Sequence, residues 1–81
     1  MPTTLDQLPL GQQAVIRALT LSGLKGRRLQ ELGFLPGAEI CALYQSPWGD
    51  PVAYAIAGAV IALRRADARA VSLTVKEEDR V

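Results

Sequence analysis

The chain has 81 residues and a mass of 8.7 kDa, which is room for one small domain with a marginal core. It is 49% hydrophobic and 21% charged, too apolar for a disordered chain, although twelve residues are alanine and bury little area each. A net charge of +1 excludes strong steering onto nucleic acid or anionic lipid, and the lack of histidine beside a single cysteine excludes disulfide frameworks, zinc clusters and His-based catalysis.

Thr4-Leu5-Asp6-Gln7 has the Thr-x-x-Gln spacing of a capping box and predicts one or two helical turns, ended by Pro9 and Gly11. Gln13 to Leu21 carries no breaker and predicts a first strand, with Ala14, Ile16 and Ala18 on one face. After Ser22-Gly23, a short helix is expected over Lys25 to Leu32, with Leu29 and Leu32 facing inward. Gly33 supplies its left-handed stop, and Pro36-Gly37 suits the centre of a type II turn. Ala38 to Gln45 is the second expected strand.

Pro47-Trp48-Gly49-Asp50-Pro51 forms a loop stiffened by proline at both ends. Val52 to Ala57 is the third expected strand and Ala59 to Arg64 the fourth, joined by a type II′ turn with Gly58 at its first central position. Arg65 to Arg69 reads as a short turn or 3₁₀ segment. Val71, Leu73 and Val75 then alternate with polar residues in a fifth strand. With aromatics at 5%, the core is expected from Leu, Val and Ile. The pattern predicts a mainly β fold: a small, partly open β-barrel of about five strands with one or two short helices. The domain is expected over 1–76, with a charged tail over 77–81.

The first basic residue is Arg17, so no signal peptide is expected. The longest uncharged stretch, Pro51 to Leu63, is far short of the roughly 18 apolar residues of a membrane helix. A lone Cys41 in a strand fits a reduced compartment, and a cytoplasmic protein without membrane insertion is expected.

Three stretches carry a resemblance to a known family. Leu29-Gln30-Glu31-Leu32-Gly33-Phe34-Leu35-Pro36-Gly37, then Pro47-Trp48-Gly49-Asp50-Pro51, then Ile61-Ala62-Leu63-Arg64 with Asp67-Ala68, resemble the ferrous iron transport protein A (FeoA) family. Leu5-x-x-Leu8-x-x-Gly11 and Ala14-x-Ile16 fit as well, so the likeness runs from about Leu5 to Val75. It implies an SH3-like barrel and a small accessory protein that acts beside FeoB, the membrane transporter for ferrous iron with a cytoplasmic G domain. The same barrel ends iron-dependent repressors, which leaves a free-standing interaction module of a metal-responsive regulator as an alternative. A small nucleic-acid-binding barrel is the other.

The candidate site residues are those of a docking surface. Trp48 either stands out as an anchor or folds back over the barrel mouth. Arg27 and Arg28 lie on the exposed side of the expected helix and could touch a partner, in the extreme as an arginine finger. Lys25, Arg64, Arg65 and Arg69 read with them as a solvated basic face rather than a nucleic-acid site. Period two turns Ala53, Ala55, Ala57, Val60 and Ala62 outward, opposite Val52, Tyr54, Ile56, Ile61 and Leu63. That face carries no polar side chain. It is a docking surface for FeoB or a second copy of the chain, or it lies under the turn of Leu5 and Leu8, or alanine is simply tolerated there. No metal site, cofactor or catalytic residue is expected: the carboxylates are scattered, Ser22, Ser46 and Ser72 lack a base, and no phosphate loop follows Gly23 or Gly26.

Overall fold

A computed structural model describes residues 2–74. Val75, the expected domain end at 76 and the charged tail over 77–81 lie outside the described residues. In chain order the elements are a 3₁₀ turn at Leu5–Gln7, β1 (Gln13–Leu19), α1 (Gly23–Glu31) and β2 (Glu39–Gln45), then β3 (Val52–Ile56), β4 (Ala59–Leu63), α2 (Arg65–Ala68) and β5 (Val71–Thr74). The strands form one antiparallel sheet in the order β4-β3-β2-β1-β5. Its ends, β4 and β5, do not pair, so the sheet stays open.

Turn chemistry decides most boundaries. Gly33 (φ 111°) closes α1 in a Schellman arrangement, in which the Phe34 N–H donates to the Leu29 carbonyl and the Gly33 N–H to that of Gln30, both at 3.0 Å. The Ala38 N–H donates to the Leu35 carbonyl at 3.0 Å across Pro36-Gly37, which is the expected turn into β2. At the N-terminus the expected capping box is not made, and its side chains bond one position away from it. Gln7 Oε1 accepts from the Thr3 N–H at 2.9 Å, while the Thr4 hydroxyl bonds to Asp6 rather than to the Gln7 backbone. A single 3₁₀ turn is too short for the reciprocal geometry of a full α-helical start.

The β3–β4 turn differs from the sequence expectation. Ile56 pairs with Ala59, so the two central residues are Ala57 and Gly58, and both have positive φ (53° and 80°). The turn is therefore type I′, with Gly58 second, and Ala57 belongs to the turn and not to β3. Type I′ matches the right-handed twist of the strands, which offsets a cost of about 1 kcal/mol for alanine in the left-handed region. Ala57 also sits close over Gly33: a Cβ at Gly33 would lie 2.9 Å from the Ala57 Cβ. Glycine at 33 thus serves both the helix stop and this approach.

The core gathers between the sheet and its covering segments. Leu5, Phe34, Ala42, Ala68 and Val71 are wholly buried, and Ile16, Ile40, Tyr54 and Ile56 nearly so. The expectation that the core comes from Leu, Val and Ile is corrected in part, since its two largest fully buried side chains are Tyr54, which period two turned inward, and Phe34. The 3₁₀ turn carrying Leu5 packs on α2 and β5, not over the outer face of β3 and β4.

Burial pushes the Tyr54 hydroxyl above the ordinary tyrosine value of 10.0; Arg65 opposes the shift, and Asp6 and Asp50 add to it. The unfolded chain therefore ionises first as pH rises past 10.0. Folding stability that is fully present below that value falls as pH climbs toward the folded-state value. Urea unfolding on either side of it should show the decline in the natural chain and a flatter profile in Tyr54→Phe.

Candidate partner-binding surface

Trp48 is 91% exposed, which settles the choice left open by the sequence: it does not fold back over the sheet. The loop that carries it is tied down. The Ser46 N–H donates to the Pro51 carbonyl at 3.1 Å, the Gly49 N–H to the Ser46 carbonyl at 2.8 Å, and the Ser46 hydroxyl to the Asp50 carbonyl at 2.7 Å. The Asp50-Pro51 peptide is cis.

Arg65 does the rest. Its Nε donates to the Gly49 carbonyl at 2.7 Å, Nη1 to the Asp6 carbonyl at 3.0 Å and Nη2 to Gln45 Oε1 at 3.1 Å. Its backbone N–H donates to Asp50 Oδ1 at 2.9 Å. One planar guanidinium thus joins the start of α2, the Trp48 loop and the N-terminal turn, a role that the fork geometry of arginine suits and lysine cannot copy. The reading of Arg65 as part of a solvated face is corrected.

The other cations of that expected basic face divide in two. Lys25 pairs with Asp67 at 3.3 Å, Arg69 with Asp6 at 3.8 Å and Arg64 with Asp50 at 3.9 Å. Exposed pairs of this kind contribute about 0–1 kcal/mol each. Arg27 and Arg28 make no ion pair among the described residues and stand exposed on α1.

The alanine face is not the flat exposed surface that period two suggests. Ala53 is buried (6% exposed) and is removed from it. β3 has a strand on each side, so the small Ala53 methyl is flanked by its cross-strand partners Tyr44 and Ala62. Ala55 is half-buried beside its partner Val60, which is 59% exposed, and Ala57 is exposed in the turn. Trp48 lies beyond the opposite end of β3 from Ala57. The predicted residues therefore occupy three places: Arg27 and Arg28 on α1, Ala55, Ala57 and Val60 around the β3–β4 hairpin, and Trp48 on its loop. Tyr44, 61% exposed near the end of β2, is an aromatic that the sequence reading passed over as a strand residue.

Among the described residues, no three of His, Cys, Asp and Glu come together as a metal site, and no helix is long and apolar enough to cross a membrane.

Comparison with known proteins agrees on fold and family. A curated Fe(2+) transport protein A/Fe(2+) transporter FeoB fusion protein of Porphyromonas gingivalis is 36% identical over 69 residues. The match takes in 85% of this chain and 8% of that protein, so the chain spans a small part of the relative's length. The solution structure of FeoA from Chlorobium tepidum superposes with a TM-score of 0.83 at 28% identity, over 89% of this chain and 69% of that one. FeoA of Stenotrophomonas maltophilia, solved with zinc and described as a prokaryotic SH3 domain protein, gives 0.78 at 31% identity, over 90% and 91%. The open five-stranded sheet with two short helices is thus SH3-like, as the family resemblance implied. Residues 3–75 match the family model of the FeoA domain, and the chain belongs to that family.

Proposed function

We propose that this chain is a non-catalytic accessory protein of ferrous iron uptake, which binds the cytoplasmic side of the FeoB transporter with Trp48 as its central contact. The observation that carries the reading is the relative in which a sequence 36% identical to this one shares a polypeptide with FeoB. Fusion keeps two domains at a high effective concentration, which is useful when they associate. Trp48 supports the choice of contact. Tryptophan is enriched among residues that dominate binding energy, and Trp48, 91% exposed, stands on a loop whose backbone is already held by backbone and Arg65 hydrogen bonds and so loses little backbone freedom on docking. Arg27 and Arg28, exposed on α1, supply a second contact. The action is by touch, not by holding iron or by chemistry on it.

The test is Fe²⁺ uptake in the host after deletion of this protein. Uptake should fall, return with the natural chain, and return only in part with Trp48→Ala, whose melting temperature should stay within a few degrees because so exposed a residue adds little to the core. Unchanged uptake on deletion would sink the proposal. Full rescue by Trp48→Ala would remove that residue from the contact.

A further inference from the structure

The two edges of the sheet are treated differently. At β5 the Leu73 N–H donates to the Thr3 carbonyl at 2.9 Å, and Thr4 bridges to Ser72, so the N-terminal segment covers that edge. Beyond β4 no described segment pairs.

The two-residue turn makes Ile56 and Ala59 a hydrogen-bonded pair. Alternation along the ladder then turns the backbone groups of Ala59, Ile61 and Leu63 toward β3, and those of Val60 and Ala62 away from the sheet. Natural proteins guard such an edge with Lys, Pro or a bulge. Ala59-Val60-Ile61-Ala62-Leu63 has no charge and no proline, and its register with β3 is unbroken. Beside the edge lies an open cleft of about 270 Å³ between β4 and α1, walled by Leu21, Leu29 and Leu32 on one side and by Ile61 and Leu63 on the other, with Lys25, Arg28 and Asp67 also lining it.

We propose that β4 pairs antiparallel with β4 of a second copy of this chain, about a two-fold axis at Ile61. In that register Val60 exchanges both backbone hydrogen bonds with Ala62 of the second copy, and Ala62 does the same with the opposite Val60. Opposed residues share a face, so Ile61 of each copy enters the cleft of the other, against its leucine wall. The edge is self-complementary about Ile61, as a two-fold interface between copies requires. Its charges agree: Arg64, the first charge after β4, falls opposite Gly58 and not opposite its own counterpart.

Sedimentation equilibrium from micromolar to millimolar loading should show the mass rising from 8.7 kDa toward twice that value. Val60→Lys, which puts a charge on an exposed edge position, should weaken the dimer at least about tenfold with little change in melting temperature. Ala62→Pro removes an outward N–H without touching the β3–β4 ladder and should act likewise. Across the axis, the two residues at 61 form a non-hydrogen-bonded pair about 4.5 Å apart at Cα, within disulfide reach. In a Cys41→Ser background, Ile61→Cys should therefore oxidise to a covalent dimer, and Ala66→Cys, exposed on α2, should not. A monomer at every concentration would overturn the proposal, as would a dimer whose affinity Val60→Lys leaves unchanged.

Discussion

Replacing Gly26 with alanine is expected to lower the melting temperature by about 15 °C. Helix propensity alone predicts the opposite sign, since alanine is favoured over glycine by about 1 kcal/mol in a helix interior. Packing reverses it. Gly26 is buried in α1, and a Cβ there would lie 2.0 Å from the Leu21 carbonyl oxygen and 2.7 Å from its carbon. Both atoms are backbone, so no rotamer change relieves the overlap. The helix must shift off the β1–α1 connection, which disturbs the seat of Leu29. Overpacking of this kind costs about 3 kcal/mol, and each kilocalorie lowers the melting temperature of so small a domain by about 4–8 °C. Thermal unfolding followed by circular dichroism reads the result, with Arg27→Ala, exposed next door, expected to change little. A Gly26→Ala protein as stable as the natural one would show that the Leu21 contact is not a constraint.

Arg65→Ala should cost about 2–3 kcal/mol, measured by urea unfolding, and should loosen one region more than the rest. Three side-chain hydrogen bonds disappear, two of them to the carbonyls of Gly49 and Asp6, which lose their charged donor. The group is only half-buried, so the full strength of three charge-assisted bonds is not recovered. Hydrogen exchange distinguishes a local effect from a global one. The Ser46 and Gly49 amides, bonded to Pro51 and Ser46, should lose protection in Arg65→Ala before the amides of β1 and β2 do. Arg65→Lys keeps the charge but not the fork and should fall between the two. Equal protection of the loop in all three proteins would mean that the loop holds itself.

These two residues also show where sequence reasoning reaches and where it stops. Leu35-Pro36-Gly37-Ala38 and Gly33 were legible because a turn or a helix stop is decided by its own few residues. The inward set Val52, Tyr54 and Ile56 was legible because period two is local. The β3–β4 turn was expected at Gly58 but one residue late and of the wrong type, since alanine at positive φ is disfavoured locally and is imposed here by the Ile56–Ala59 pairing. Ala53 was lost because its burial depends on strands from both sides. Arg65 was lost for a similar reason: its side-chain partners lie 16, 20 and 59 positions away. Nothing in Arg64-Arg65 as a dipeptide tells the exposed ion pair of the first from the clasp of the second. The exposed place of Arg27 and Arg28 on α1 followed from local helical spacing, whereas the burial of Ala53 and the anchoring of the Trp48 loop follow from long-range contacts.

Calorimetric titration of the purified chain into FeoB held in lipid nanodiscs addresses the proposed role at its root. Saturable binding is expected, weakened at least about tenfold by Trp48→Ala, as the loss of a central tryptophan anchor should be. Arg65→Lys, which leaves Trp48 in place but frees its loop, should weaken it less and chiefly through a less favourable entropy. Failure of the natural chain to bind FeoB at any accessible concentration would contradict the account.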